Sequence, residues 1–252
     1  MMQMQSHQPY NADSSLFGKV RRRAVRLMHR KPARLRLDRP TVSFTFDDAP
    51  VTAAQTGARI LEAHDARGAF YVCAGLFDQD GHMGRYAGAH EVADLAARGH
   101  EIACHTFSHL DCGAQGEADI VADTERNVDA LRAMGIAMRH FAYPYGEVSP
   151  HAKHALNGRY GSLRGVHSGL VRDGSDLNQL PAVGIEGENG EAEARAWIDR
   201  AVAEKAWLIL YTHDVRAEPS KYGCTPEALD RIVAYVQTSG CDIRTIGDVL
   251  GQ

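Results

Sequence analysis

The 252-residue chain has no Cys-x-x-Cys pair and only five cysteines, Cys73, Cys104, Cys112, Cys224 and Cys241. An odd, dispersed set excludes a dense disulfide framework and predicts a fold suited to a reducing compartment. No apolar run approaches the ~18 residues of a membrane span. The N-terminal stretch MMQMQSHQPYNADSS lacks the apolar core of a secretory signal, which predicts a cytoplasmic chain. Acidic residues are scarce at the start: residues 1–39 hold ten Lys/Arg against Asp13 and Asp38, a net +8. The remainder carries 18 basic and 30 acidic residues, a net −12, and such an acidic body gives no reason to expect nucleic acid as a partner.

What is present is ordinary globular composition, 44% hydrophobic and 24% charged, enough for one large α/β domain or two small ones. After residue 40 strand and helix patterns alternate. TVSFTF, GAFYVCAG, EIACH, RHFAYPYG, GSLRGV, LPAVGIE and WLILYTHD read as strands, and helical segments lie between most of them. TPEALDRIVAYVQTSG reads as a helix with a Thr cap and Pro at its first position. With no linker-like stretch after residue 40, the pattern predicts a single α/β domain over residues 40–252, built on a parallel sheet of seven or eight strands for which closure into a barrel is open.

Chemistry in such folds collects at the carboxyl ends of the strands. Val42, Phe44 and Phe46 alternate with Thr41, Ser43 and Thr45, then the run stops on Asp47 and Asp48. Adjacent carboxylates repel unless a cation or a shared proton lies between them. His105 ends EIACH, Tyr145 follows FAYP, and His213 with Asp214 ends WLILYTHD. HTFSH sets His105 and His109 four apart, one turn if helical, so both imidazoles can face one ion. Two His and a strand-end Asp form a three-ligand set with open positions, and the second Asp then suits a base that takes a proton from water. His213 suits an acid for the leaving group, and a backbone N–H near Tyr145 suits an oxyanion donor.

TFDDAP, HTFSH, AYPYG and LYTH, in this order, resemble the motifs of the polysaccharide deacetylases of carbohydrate esterase family four, the chitooligosaccharide deacetylase homology domain, over about residues 40–250. The resemblance implies a single-domain α/β fold, a distorted (β/α)7-8 barrel, and a divalent metal, zinc by type, held by Asp48, His105 and His109. It implies Asp47 as base, Tyr145 as oxyanion donor through its N–H, His213 as acid, and Ser108 as a support for the second histidine's loop. The third motif departs from the pattern, because Ala142 stands where the family has an Arg that tethers the base; Arg164 in SLRGVHSG is the candidate replacement. The family's acid-orienting Asp has no clean match, and Asp173 and Asp176 are the candidates.

The expected activity is metal-dependent removal of acetyl groups from GlcNAc-type residues of a bacterial exopolysaccharide of adhesin, capsule or holdfast type, or of its precursor. The alternatives are a catalytically weak glycan-binding or regulatory module and a hydrolase of a small amide or imide. Residues 1–39 form a basic N-terminal extension in which Leu16, Val20, Ala24 and Leu27 or Met28 fall at helical spacing. A helix within residues 16–36 has three partners open to it: the anionic inner face of the membrane, the body of the protein, and a second subunit in a homodimer.

Overall fold

The computed structural model describes Val20 and residues 23–252. The strands are β1 (Thr41–Asp47), β2 (Ala69–Val72), β3 (Asp80–Gly81), β4 (Gly84–Arg85), β5 (Glu101–Cys104), β6 (His140–Ala142), β7 (Ser162–Arg164), β8 (Val183–Gly184), β9 (Trp207–Thr212) and β10 (Asp242–Ile243). The helices are α1 (Ala58–Ala63), α2 (Ala89–Ala97), α3 (Glu117–Ala133), α4 (Pro150–Leu156), α5 (Gly190–Glu204), α6 (Pro226–Thr238) and α7 (Ile246–Leu250). A π-helical turn, Ala53–Gly57, leads into α1. A Cβ on Gly57 would lie 2.9 Å from the Phe46 ring, so a side chain there would push this turn off the sheet.

The parallel strands run in the order β7-β6-β5-β2-β1-β9-β8, and β10 pairs with the start of β1. The sheet curls until its two ends meet at one bridge: Gly165 N donates to Leu180 O and Leu180 N to Leu163 O, just before β8. The result is the predicted distorted barrel, closed by that single seam.

Period two along β1 explains what fills it. Val42, Phe44 and Phe46 face outward into the layer under the helices, where Phe46 stacks on Phe70 at 4.7 Å between ring centroids. Burying such side chains supplies roughly 1.5–3 kcal/mol each. The opposite parity points into the lumen, with Tyr71, Ala103, Ala142, Trp207 and Ile209 of neighbouring strands. Ser43 Oγ accepts from Trp207 Nε1 and donates to Arg244 O, so the polar residues of this face are satisfied inside the barrel. Asp47 has the lumen parity of Ser43 and Thr45, and this aims it into the upper end of the barrel.

Helix ends follow their local signals. Thr225 caps α6 by accepting from Ala228 N with Pro226 next in line, as predicted, and Ser149 caps α4 in the same way through Ala152 N.

In the N-terminal segment Val20 and residues 23–25 are helical, but the helix does not reach Leu27 and Met28; Leu16 lies outside the described residues. Pro32 cannot continue a helical hydrogen-bond ladder, and residues 31–35 run extended along the loop after β7. Ala33 N donates to Ser175 O, Gly174 N to Ala33 O and Leu177 N to Lys31 O. Ala33 and Leu35 are buried in the lumen cluster with Ile246, so this segment helps to close the lower end of the barrel, while Arg34 and Arg36 stay outside.

Candidate metal centre and catalytic cleft

β1 delivers Asp47 and Asp48 buried at its end, and the chain then turns through two left-handed residues, Asp48 (φ 59°) and Ala49 (φ 48°). His105 follows β5 directly, its N–H donating to Val72 O. HTFSH is not a helical turn. It is a loop with left-handed Thr106 (φ 63°) and His109 (φ 56°), a strained geometry for non-glycine residues that the surroundings must hold. Asp123 of α3 holds it, with Oδ1 accepting from Phe107 N and Ser108 N and Oδ2 from Ser108 Oγ. Thr106 Oγ1 accepts from Leu110 N. Ser108 therefore supports the His109 loop, and Asp123 is a partner that sequence reading missed.

The loop brings His105 Nε2 to 3.5 Å and His109 Nε2 to 3.2 Å from Asp48 Oδ1, with one ligand atom from each residue inside 4.8 Å of the others. His105 Nδ1 lies 2.8 Å from Ala142 O, which assigns its proton to Nδ1 and leaves the Nε2 lone pair facing Asp48. Burial pushes the His105 imidazolium pKa down to about 4, so the ring is neutral at pH 7. Asp48 Oδ1 is buried without a hydrogen bond. A neutral imidazole, a second one and an unsatisfied carboxylate oxygen converging on one point fit a divalent cation.

Asp47 does not join this set. Burial disfavours its charge, but the Arg164 guanidinium bonded to Oδ1 outweighs that and holds its carboxyl below the usual range; His105 and His213 add to the effect. Arg164 is fully buried, between the rings of Tyr71 (4.8 Å) and Tyr211 (5.4 Å). Its origin explains the Ala142 departure. Ala142 and Arg164 are register partners on β6 and β7, so the cation enters at the same level, on the same lumen face, one strand over.

Tyr145 sits in the Pro144–Gly146 turn with φ 60°, its ring 4.4 Å from that of His109. His213 lies at the end of β9. Its Nδ1 is 3.1 Å from Tyr222 O and 3.4 Å from Glu186 Oε1. Burial alone would lower its pKa; the Glu186 bond and the charges of Asp47, Asp48 and Glu186 reverse this and raise it to about 9. The carboxylate that reaches His213 is therefore Glu186. Asp173 and Asp176 do not reach His213, because they hold the N-terminal segment instead: Asp173 accepts from Leu35 N, and Asp176 from Lys31 N, Asn178 N and the buried Lys153 Nζ. Glu186 ends LPAVGIE, and the strand-end rule applied to that segment would have found it.

Asp214 is fully buried and acts on the loop that follows. It accepts from Ser220 N and Ser220 Oγ and forms an ion pair with Arg216, whose Nε lies 2.8 Å from Oδ2. That loop carries Tyr222, whose carbonyl faces His213 Nδ1 and also accepts from His213 N. The cavity over these groups is about 450 Å³, floored by Asp47, Asp48, His105, His109 and His213. It is also lined by His82 and the buried Met83 from the β3–β4 hairpin tip and by Lys221 and Tyr222 from the Asp214-anchored loop.

A parallel barrel with a two-His, one-Asp cluster and a separately tethered Asp at its strand ends is the frame of a hydrolase. Residues 34–158 match the family model of polysaccharide deacetylases, and the chain carries a polysaccharide deacetylase domain. Arg164, Glu186 and His213 lie beyond that span. A chitin deacetylase of Colletotrichum lindemuthianum is 22% identical over 211 residues, 83% of this chain and 79% of that protein. A chitooligosaccharide deacetylase of Sinorhizobium fredii is 33% identical over 116 residues, 42% of this chain and 47% of that one. Among solved structures, a chitin deacetylase from Colletotrichum lindemuthianum superposes with TM-score 0.64 at 20% identity, covering 88% of this chain and 92% of that one. A CE4 family pseudoenzyme from Bacillus anthracis superposes with TM-score 0.60 at 15% identity, covering 85% and 66%.

Proposed function

We propose that this chain is a metal-dependent N-deacetylase of GlcNAc-type residues in a bacterial exopolysaccharide of adhesin, capsule or holdfast type, or in its lipid-linked precursor. The observation that carries the reading is the division between the aspartates: Asp48 faces the two histidines, and Asp47 is turned away from them onto Arg164. Asp48, His105 and His109 would hold the cation, for which we propose zinc. When bound, such an ion polarises a carbonyl and acidifies water.

The remaining steps belong to this chain's own groups. Asp47, kept ionised by Arg164, accepts a proton from water as its oxygen adds to the acetyl carbon. The Tyr145 N–H donates to the oxyanion that forms. His213, protonated at neutral pH and oriented through Nδ1 by Tyr222 O and Glu186, gives its proton to the departing nitrogen, so the C–N bond breaks to acetate and a free amine. Aromatic rings lining the cavity, Tyr222 above all, suit the apolar face of a sugar.

The second reading is a glycan-binding module without turnover, a possibility raised by the pseudoenzyme among the structural neighbours. Arg164 counts against it, because it supplies to Asp47 the cation that Ala142 cannot. The test is acetate release from acetylated chitooligosaccharides and from a β-linked GlcNAc polymer, after chelation and controlled return of metal. Release by wild type that falls at least ~100-fold in Asp47→Asn supports the deacetylase. Tight glycan binding by metal-loaded protein with no release overturns it in favour of the binding module.

A further inference from the structure

Four large hydrophobic side chains are exposed among the described residues, and three of them, Val20 (57%), Leu27 (77%) and Met28 (43%), fall within nine positions of one another. They are not on a loose tail. Val25 between them is 3% exposed, and the buried Lys153 Nζ donates to its carbonyl while bonding Asp176. Asn178 Nδ2 donates to His29 O and Arg30 Nη2 to Gly174 O, so the backbone on both sides of Leu27 and Met28 is tied to the barrel. These two side chains are presented outward by a fixed support.

The charge carried by the segment itself is of one sign. Residues 14–37 contain nine Lys/Arg and no Asp or Glu, although the rest of the protein is acidic. Exposed apolar side chains set among arginines match the boundary between lipid headgroups and acyl chains, where the apolar groups enter and the cations meet phosphate. A second copy of the chain fits poorly, since a two-fold interface through this surface would bring the exposed Arg23, Arg26 and Arg30 against the same residues of the other copy. Val25 shares its hydrophobic cluster with Tyr143 and Val148, which flank the Pro144–Gly146 turn that carries Tyr145.

We propose that residues 23–30 form a docking surface for an anionic lipid bilayer, with Leu27 and Met28 entering the headgroup layer and Arg23, Arg26 and Arg30 contacting lipid phosphates. The probe is sedimentation of the full chain with vesicles of phosphatidylcholine alone, or containing about one third phosphatidylglycerol. The expected result is binding to the anionic vesicles only, reduced by high salt, and weakened about 100-fold in the double variant Leu27→Glu, Met28→Glu. Thermal unfolding should show that variant as stable as wild type, because both side chains are exposed. An Arg23→Glu variant should weaken binding less, while keeping the preference for anionic vesicles.

No binding to anionic vesicles, equal binding to neutral ones, or undiminished binding by the double glutamate variant would each overturn the proposal. A dimer in solution that the same variant dissociates, without vesicle binding, would assign the surface to a second copy instead. None of these readouts depends on hydrolysis, so they stand or fall apart from the proposed activity.

Discussion

Replacing Arg164 by alanine removes the cation from a pair in which Arg164 is fully buried and Asp47 is 3% exposed. Breaking a buried pair from one side leaves the other charge stranded, at a cost of about 3–5 kcal/mol, against a typical total of about 5–15 kcal/mol. The variant should unfold at clearly lower denaturant concentration at neutral pH. The sign with pH is fixed by Asp47. Its folded-state pKa is depressed, so its stabilising contribution is present above the unfolded value of about 3.9 and is lost as pH falls through the folded value. The stability gap between wild type and Arg164→Ala should therefore narrow in acid.

Activity should show the same cause. Without Arg164 the Asp47 pKa rises, the base stays protonated to higher pH, and the acid limb of the pH–rate profile moves up. The register pairing of Ala142 with Arg164 offers a rescue, because adjacent strands lie only ~4.8 Å apart. Ala142→Arg combined with Arg164→Ala should recover part of both the stability and the acid limb. A singly substituted Arg164→Ala protein with wild-type denaturation midpoint and an unmoved acid limb would refute the account of Asp47.

Three further outcomes follow from the same geometry. Asp123→Ala, which frees three donors of the His109 loop, should weaken divalent-metal affinity about 10–100-fold by titration calorimetry while leaving Asp47 and Arg164 in place. Glu186→Gln removes the carboxylate that helps to hold the His213 pKa near 9, so the alkaline limb of activity should move to lower pH; an unshifted limb would remove Glu186 from the acid's support. Zinc added to chelated protein at 100 times its dissociation constant should stabilise the fold by about 2.7 kcal/mol in a thermal melt, and His105→Ala should abolish that gain.

Much of this was legible in the residue order because it is local. Period two through TVSFTF placed the end of β1 at Asp47, and the Thr-Pro pair placed the start of α6. TFDDAP and HTFSH pointed to the ligand set without any knowledge of how distant strands pair. The tertiary structure decided what depends on register between segments far apart in the chain. Arg164 replaces the missing motif cation because β6 and β7 align it with Ala142 on one face of the barrel. Glu186 rather than Asp173 or Asp176 supports His213, because the chain rises through β8 beside β9 while the other two acids stay with the N-terminal segment. The physical reason is common to all: hydrophobic period and capping are short-range preferences of a few residues, whereas the partner of a buried charge is selected by which strand ends the closing sheet brings to the same level.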